Sequence, residues 1–480
     1  MSASTGGAAR CLSLDDWDLR YAQLKADGLQ EPWYGGPLRR HVESGGDLRL
    51  LKLKFDPSPA ALRLWNFLLT EEERLRAARK AGKKIVGTMK DLGTVPVLVY
   101  SLRNAVAFYP DGAWWAPCVM EMSEGCLAAA AQHGIDESFC PVRAMLGAFL
   151  TDSQFPRPDL LISSVGATCD DFSAIAQRLE SLGFPIFWWE IPSRRDPDAG
   201  EKRVELPGGL SAPAVQVAAI QSELKRICAK LEELSGERFT DECLRAGIRA
   251  ANRVRRVLAR LRQLVFTAPE PPLPALELLI AEMLAIHFCS DREEALAVLS
   301  ELLAEVEKRV DESARTRLAP NERSQSRACH PRVFWVSPVA DLAAMNLLES
   351  CGGRLCGTDF MFSHALDEIP EDLPPLEALA RMALADPMVG SSRDRARRIC
   401  REARALGSEA VIVSRIPGAS HCAMEGEVIA AAVRAELGLP VIEVEVPPLT
   451  DALRPALTTR IEALVESVNQ NRDRKGAAGT

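Results

Sequence analysis

Two spacings of apolar residues divide this chain into segments. LRLLKLKF followed by PAALRLWNFLLTEEERLRAARKAG has helix-period spacing and predicts a helical or irregular entry over residues 1–80. KKIVGTM, PVLVYSL and DLLISSV are short apolar runs that predict buried strands of a first α/β lobe over 81–211. Residues 212–310 are almost wholly helix-period, with Thr240 as N-cap before DECLRAGIRAANRVRRVLARLRQLV and the prolines of APEPPLP separating helices. The breaker-rich DESARTRLAPNERSQSRACHPR predicts a linker at 311–331, and RVFWVSP then opens a second α/β lobe over 332–468. Residues 1 to about 12 and the tail 469–480 carry few apolar groups to offset ordering entropy, which predicts disorder.

The pattern also repeats. DLLISSVGATCDDFSAIAQRLESLGFPIFWWEIP aligns with EAVIVSRIPGASHCAMEGEVIAAAVRAELGLPVIEVEVP, each reading as strand, loop, helix, a Leu-Gly turn near Pro185 or Pro440, and strand. Both copies carry a cysteine at the same point, Cys169 and Cys422. Alternating strands and helices imply parallel sheets covered by helices, on which ligands gather at the carboxyl ends of the strands.

Composition narrows the chemistry. A chain of 480 residues, 47% hydrophobic, buries a large core in two to four compact domains. Net charge -8 and a pI near 5.6, with no polybasic block, argue against nucleic acid or an anionic membrane as partner. The opening MSASTGGAARCLSLDDW lacks an apolar signal core and no run approaches the ~20 residues of a membrane span, so a cytoplasmic location is expected. In that reducing compartment the 13 cysteines are expected as metal ligands, reactive thiols or small buried side chains.

Three of them stand where chemistry is favoured. A cysteine between a strand and a helix lies near unpaired N–H groups and the positive end of the helix dipole, which favour thiolate. Cys169 and Cys422 fit that description, and in FCPVRAMLGAF the proline after Cys140 suits the first position of a helix capped by Cys140. No close CxxC pair exists, so ferredoxin, zinc-ribbon and thioredoxin signatures are missing, and the spacing alone names no cluster.

Taken together, several stretches resemble the 2-hydroxyacyl-CoA dehydratases and their relatives the benzoyl-CoA reductases, of the 2-hydroxyglutaryl-CoA dehydratase D-component type. The likeness covers roughly residues 80 to 470 and is carried by FCPVRAMLG, GATCDDF, ELSGERFTDECLRAGIRAANRVRRVL, RVFWVSPVADLAAMNLLESCGGRLCGTDF, SHCAMEGEVI and TTRIEALVE. It implies an α/β fold of two Rossmann-like parallel-sheet lobes, here related by internal duplication, with a helical segment between them. It also implies a 4Fe-4S cluster held by three cysteines, whose positions match Cys140, Cys169 and Cys422, with the fourth iron site left open. The partners so implied are an acyl-CoA substrate, a homologous cluster-bearing subunit and a separate ATP-dependent activator. This chain has no GxxxxGK[ST] loop and is not that activator.

The implied activity is one-electron reduction of an acyl-CoA thioester through a ketyl radical. The wording of SPVADLAAMNLLESCGGRLCGTDF and RIPGASHC leans towards benzoyl-CoA-type reduction. A 2-hydroxyacyl-CoA dehydratase, a double-cubane reductase recruiting Cys118, Cys126, Cys351 and Cys356, and a non-catalytic electron-transfer partner stay open. Ser420 and His421 are candidates to approach the open iron or donate a proton, and Trp114, Trp115, Trp188, Trp189 and Trp335 are candidates to wall an acyl pocket. Each has a plainer reading as a hydrogen-bonded loop residue or as core.

Overall fold

The structure, a computed structural model, describes residues 10–11, 19, 22–23, 26, 54–56, 58–89, 93–119, 124–286, 290–318, 330–360, 363–420, 424–447 and 452–478. After a two-residue antiparallel pairing of Arg10–Cys11 with Lys54–Phe55, the chain enters through helices α1 (Pro59–Leu69) and α2 (Glu71–Lys80). Ser58 Oγ accepts the Ala61 N–H at 3.2 Å, and Pro59 stands in the first turn, where a missing N–H is harmless.

The first lobe alternates β1 (Lys84–Met89), α3 (Val95–Tyr100), β2 (Ala105–Phe108), α4 (Gly112–Val119), α5 (Glu124–Gln132), α6 (Ala144–Thr151), β3 (Leu160–Gly166), α7 (Asp170–Ser181) and β4 (Ile186–Ile191). These strands form one parallel sheet in the order β2-β1-β3-β4, with Val86 opposite Leu160. A short antiparallel ladder, Arg203–Leu206 with Leu210–Pro213, leads to the helices α8 (Ala214–Ser235), α9 (Asp241–Thr267), α10 (Ala275–Met283) and α11 (Arg292–Leu318).

The second lobe runs β5 (Arg332–Val336), α12 (Ala344–Ser350), β6 (Arg354–Asp359), α13 (Pro375–Ala385), α14 (Ser392–Ala405), β7 (Ala410–Arg415), α15 (Gly426–Leu437), β8 (Val441–Glu445) and α16 (Arg454–Ala478). Its parallel sheet has the order β6-β5-β7-β8, the same order relative to its own first strand as in the first lobe. The fold is mixed α/β, with two four-stranded parallel sheets and many helices.

Helices cover both faces of each sheet. Val86, Ile162 and Trp189 of the first sheet pack with Ile220 and Leu224 of α8, Leu244 and Ile248 of α9, and Leu379 of α13. Ile85 and Leu161, on the opposite face, pack with Trp114, Met145 and Ile175, and with Ala340, Ile416 and Ala419 of the second lobe. Val333 and Trp335 of the second sheet join Leu258, Leu279, Leu299 and the α1 side chains, while Phe334 and Val411 face Ile399 and Ile429. Helix α9 therefore packs on the first lobe with its N-terminal half and on the helical layer and second lobe with its C-terminal half. Thr240 Oγ1 accepts the Cys243 N–H at 3.2 Å and caps it as the sequence predicts.

Several expectations need correction. PVLVYSL forms helix α3 rather than a strand, because a continuous apolar run carries no period and Pro96 suits a first helical turn. The strand at that point is β2, within NAVAFYP. Helix α11 runs on to Leu318, so 311–318 is helical; its residues include Glu, Ala, Arg and Leu, and no Gly or Pro interrupts them. Residues 319–329 lie outside the described residues. The tail expected to be disordered continues α16 to Ala478, where Arg472 Nε meets Glu409 Oε1 at 2.6 Å and Val468 is buried. Among the described residues no helix is long and apolar enough to cross a membrane.

Candidate functional site

Cys169 lies three residues beyond the end of β3 and is the N-cap of α7, with extended backbone (φ -71°, ψ 124°) and a half-buried side chain. Cys140 caps a 3-10 turn, Pro141–Arg143, that runs directly into α6; the proline occupies the first turn as its chemistry predicts. Its thiol is also half-buried. Cys422 and His421 lie outside the described residues, but the loop that leads to them, as far as Ser420, is described.

That loop touches both of the other cysteine loops. Gly418 lies so close to the Cys140 loop that a Cβ on it would stand 2.6 Å from the Phe139 carbonyl carbon and 2.8 Å from the Ser138 oxygen. Its φ of +78° is the left-handed backbone that favours glycine. Two residues on, Ser420 Oγ is 3.8 Å from Cys169 Sγ and 3.4 Å from Asp171 Oδ2, and its backbone N–H donates to the same carboxylate at 3.1 Å. Cys169 Sγ in turn donates to Asp171 Oδ2 at 3.4 Å. Asp171 is thus a buried acceptor tying the two lobes together beside a thiol.

Charge around the site is arranged in two layers. Arg143 folds back over the Cys140 turn, with Nη1 donating to the Phe139 carbonyl at 2.8 Å. Burial lowers its pKa, opposed by the charges of Cys140, Asp136 and Glu137. Beneath the third loop, Arg395 Nε meets Asp359 Oδ2 at 2.8 Å and its Nη1 meets Glu425 Oε2 at 2.5 Å. Burial works against the charge of Arg395, but the carboxylates of Asp359 and Glu425 prevail and raise its pKa. Glu425 is the N-cap of α15, so this buried triad fixes the helix that follows the third cysteine loop. Trp114 Nε1 completes the junction by donating to the Ala340 carbonyl of the second lobe at 2.9 Å.

The remaining candidates fall elsewhere. Cys356 is fully buried within β6, 3.2 Å from Ser408 Oγ, and burial raises its pKa, as it does for Cys126. Cys351 packs at the end of α12, with Thr458 O 3.8 Å from its sulfur, and the Cys118 side chain lies outside the described residues. Trp114, Trp189 and Trp335 are core, while Trp115 and Trp188 donate to Asp111 and Glu180. Among the described residues no three His, Cys, Asp or Glu side chains group closely enough to hold a metal ion. The two described thiols nonetheless suit a thiolate-bound iron–sulfur group: both are half-buried, both stand at helix starts, and the buried Arg143 guanidinium, held on the neighbouring Phe139 carbonyl, is near enough to Cys140 to sense its charge.

Reading the residues alone missed Asp171, Arg143, Gly418 and Arg395. Asp171 and Arg143 stand within the very motifs that carry the cysteines, and their nearness was the one available signal. No curated protein matches the chain. A family model does, that of the 2-hydroxyglutaryl-CoA dehydratase D-component, over residues 98–468. That span takes in both sheets except β1, all the helices between the lobes and all three cysteine loops, and the chain belongs to the 2-hydroxyglutaryl-CoA dehydratase D-component family.

Proposed function

We propose that this chain is the iron–sulfur, substrate-binding subunit of an enzyme that passes single low-potential electrons to an acyl-CoA thioester. Cys140, Cys169 and Cys422 would hold a 4Fe-4S cluster. The observation that supports this most directly is the meeting of three cysteine-bearing loops from two lobes, Gly418 against Phe139 and Ser420 against Cys169. The common strand order of the sheets supports reading the lobes as a duplicated Rossmann-like unit, with the site at the carboxyl ends of its strands.

When bound, such a cluster supplies an electron and, at an iron without a cysteine ligand, a Lewis acid. The chain's own residues do the rest. Two helix starts favour thiolate at Cys140 and Cys169, Asp171 holds the Cys169 loop to Ser420, and the Arg395 triad steadies the approach to Cys422. Ser420 and His421 are the candidates to deliver a proton. One electron entering the thioester carbonyl gives a ketyl radical anion. In a benzoyl-CoA reductase-like reaction a second electron and two protons complete reduction of the ring to a diene. We read the acyl group as aromatic on the likeness of RIPGASHC and its neighbours.

The second reading, a (R)-2-hydroxyacyl-CoA dehydratase subunit, is favoured by the name of the matching family. There the ketyl lets the C2–O bond break, hydroxide leaving with the electron pair. In either case a homologous cluster-bearing subunit and an ATP-hydrolysing activator would complete the enzyme.

The test is the iron and acid-labile sulfide content of anaerobically purified protein, with electron paramagnetic resonance with and without benzoyl-CoA and a 2-hydroxyacyl-CoA. About four irons per chain and a spectrum perturbed by one thioester support the reading and choose its branch. Alanine at Cys140, Cys169 or Cys422 should each deplete iron. Full iron in any one variant removes that residue, and no iron in the reconstituted wild type overturns the reading.

A further inference from the structure

Arg143 is a buried cation whose charge is not balanced by a carboxylate contact. It is 9% exposed, and its Nη1 and backbone N–H are spent on the carbonyls of Phe139 and Cys140, at 2.8 and 3.0 Å. Its Nε is buried with no acceptor among the described residues, and Arg143 makes no ion pair with any of them. The charged groups around it are Cys140, Asp136 and Glu137, and Asp136 is turned to Ser138, accepting its N–H at 2.9 Å and its hydroxyl at 2.7 Å. Two other buried arginines are built differently, Arg395 with Asp359 and Glu425 and Arg194 with Asp394 at 3.1 Å, whereas Arg255 and Arg354 also donate to backbone carbonyls but lie away from the cysteine loops. A desolvated guanidinium with a single carbonyl acceptor is unfavourable unless negative charge is supplied nearby.

We propose that Arg143 is the electrostatic partner of the cluster site: it stabilises the charge on the Cys140 thiolate and the charge added on reduction, and so sets how readily the site accepts an electron. The inference rests on the reading of Cys140 as a cluster ligand. Arg143 is a positioning residue and not a ligand. Reduction adds one negative charge beside it, so the guanidinium favours the reduced state, and a neutral side chain there makes reduction harder.

The experiment is a redox titration of the full-length, anaerobically reconstituted chain followed by electron paramagnetic resonance, for the wild type, Arg143→Lys and Arg143→Gln, with iron and sulfide counted in each. Glutamine should lower the reduction equilibrium constant at least about tenfold, a shift of ~59 mV to more negative potential for one electron, while lysine should stay within about threefold of the wild type. An unchanged midpoint in an iron-replete glutamine variant overturns the inference and leaves the cluster reading standing. Should the glutamine variant take up no iron, the lysine variant decides. Retained iron with a near-wild-type midpoint upholds the electrostatic role, whereas loss of iron in both makes Arg143 a clamp on Phe139 and overturns it. A wild-type chain without iron overturns this inference together with the reading it rests on.

Discussion

At the scale of single residues, the site depends on what small or charged side chains permit across the lobe junction. Gly418 meets two demands at once, a left-handed backbone and contact with the Phe139 carbonyl, whereas Gly438 at the end of α15 has a similar backbone (φ +63°) and open space around it. Gly438→Ala should therefore lose only the backbone term, about 1 kcal/mol, and Gly418→Ala about 2–4 kcal/mol, because the Cys140 loop must also move. Urea unfolding of both variants checks the difference; equal losses would mean that the loops do not press together. None of this was legible beforehand. Asp171 at the start of a helix reads as an acid favoured by the dipole, and only its bond to a residue 249 positions away makes it a tie between lobes.

At the scale of elements, the helical layer carries a titration of its own. Glu277 on α10 is buried, accepting the Asp56 N–H at 2.8 Å and Trp65 Nε1 at 3.2 Å, and burial pushes its pKa from 4.5 up to about 8. Asp56 faces it and is paired with Arg309. Between pH 4.5 and about 8 the folded chain holds a proton at Glu277 that the unfolded chain has released, so stability falls as pH rises through that window. The slope from this one group is at most about 1.4 kcal/mol per pH unit. Glu277→Gln should flatten the dependence measured by urea unfolding from pH 5 to 8, and an unchanged slope would place the titration elsewhere. The helices themselves were largely readable, from Thr240 and from the period of α9, because caps and amphipathic spacing are local signals. Helix α3 was not, since five of its six residues are buried and give no period to read.

At the scale of the molecule, the two lobes are joined by polar clasps set into apolar packing. Arg194 leaves the first lobe after β4 and is buried against the second, donating to the Leu384 carbonyl at 2.7 Å and to Asp394 at 3.1 Å, while its own N–H reaches the Val389 carbonyl. Arg194→Ala should cost roughly 2–4 kcal/mol by leaving a buried carbonyl and a carboxylate without their donor. It should also open the lobe junction to protease under native conditions. Proteolysis no faster than in the wild type would show that the apolar contacts hold the lobes unaided.

The amino-acid sequence by itself determined the alternation of strand and helix, the repeat that places Cys169 and Cys422 at matching points, and the family likeness. Each of these is written in local spacing or in the order of short motifs. Tertiary structure alone decided that Gly418 would lie on Phe139 and Ser420 on Asp171, and that Arg143 would be buried beside Cys140 with no carboxylate contact. The reason is physical. Spacing along the chain reports which face of an element is apolar, but the contacts that make a site join residues hundreds of positions apart, and only the packing of the two lobes brings them within reach.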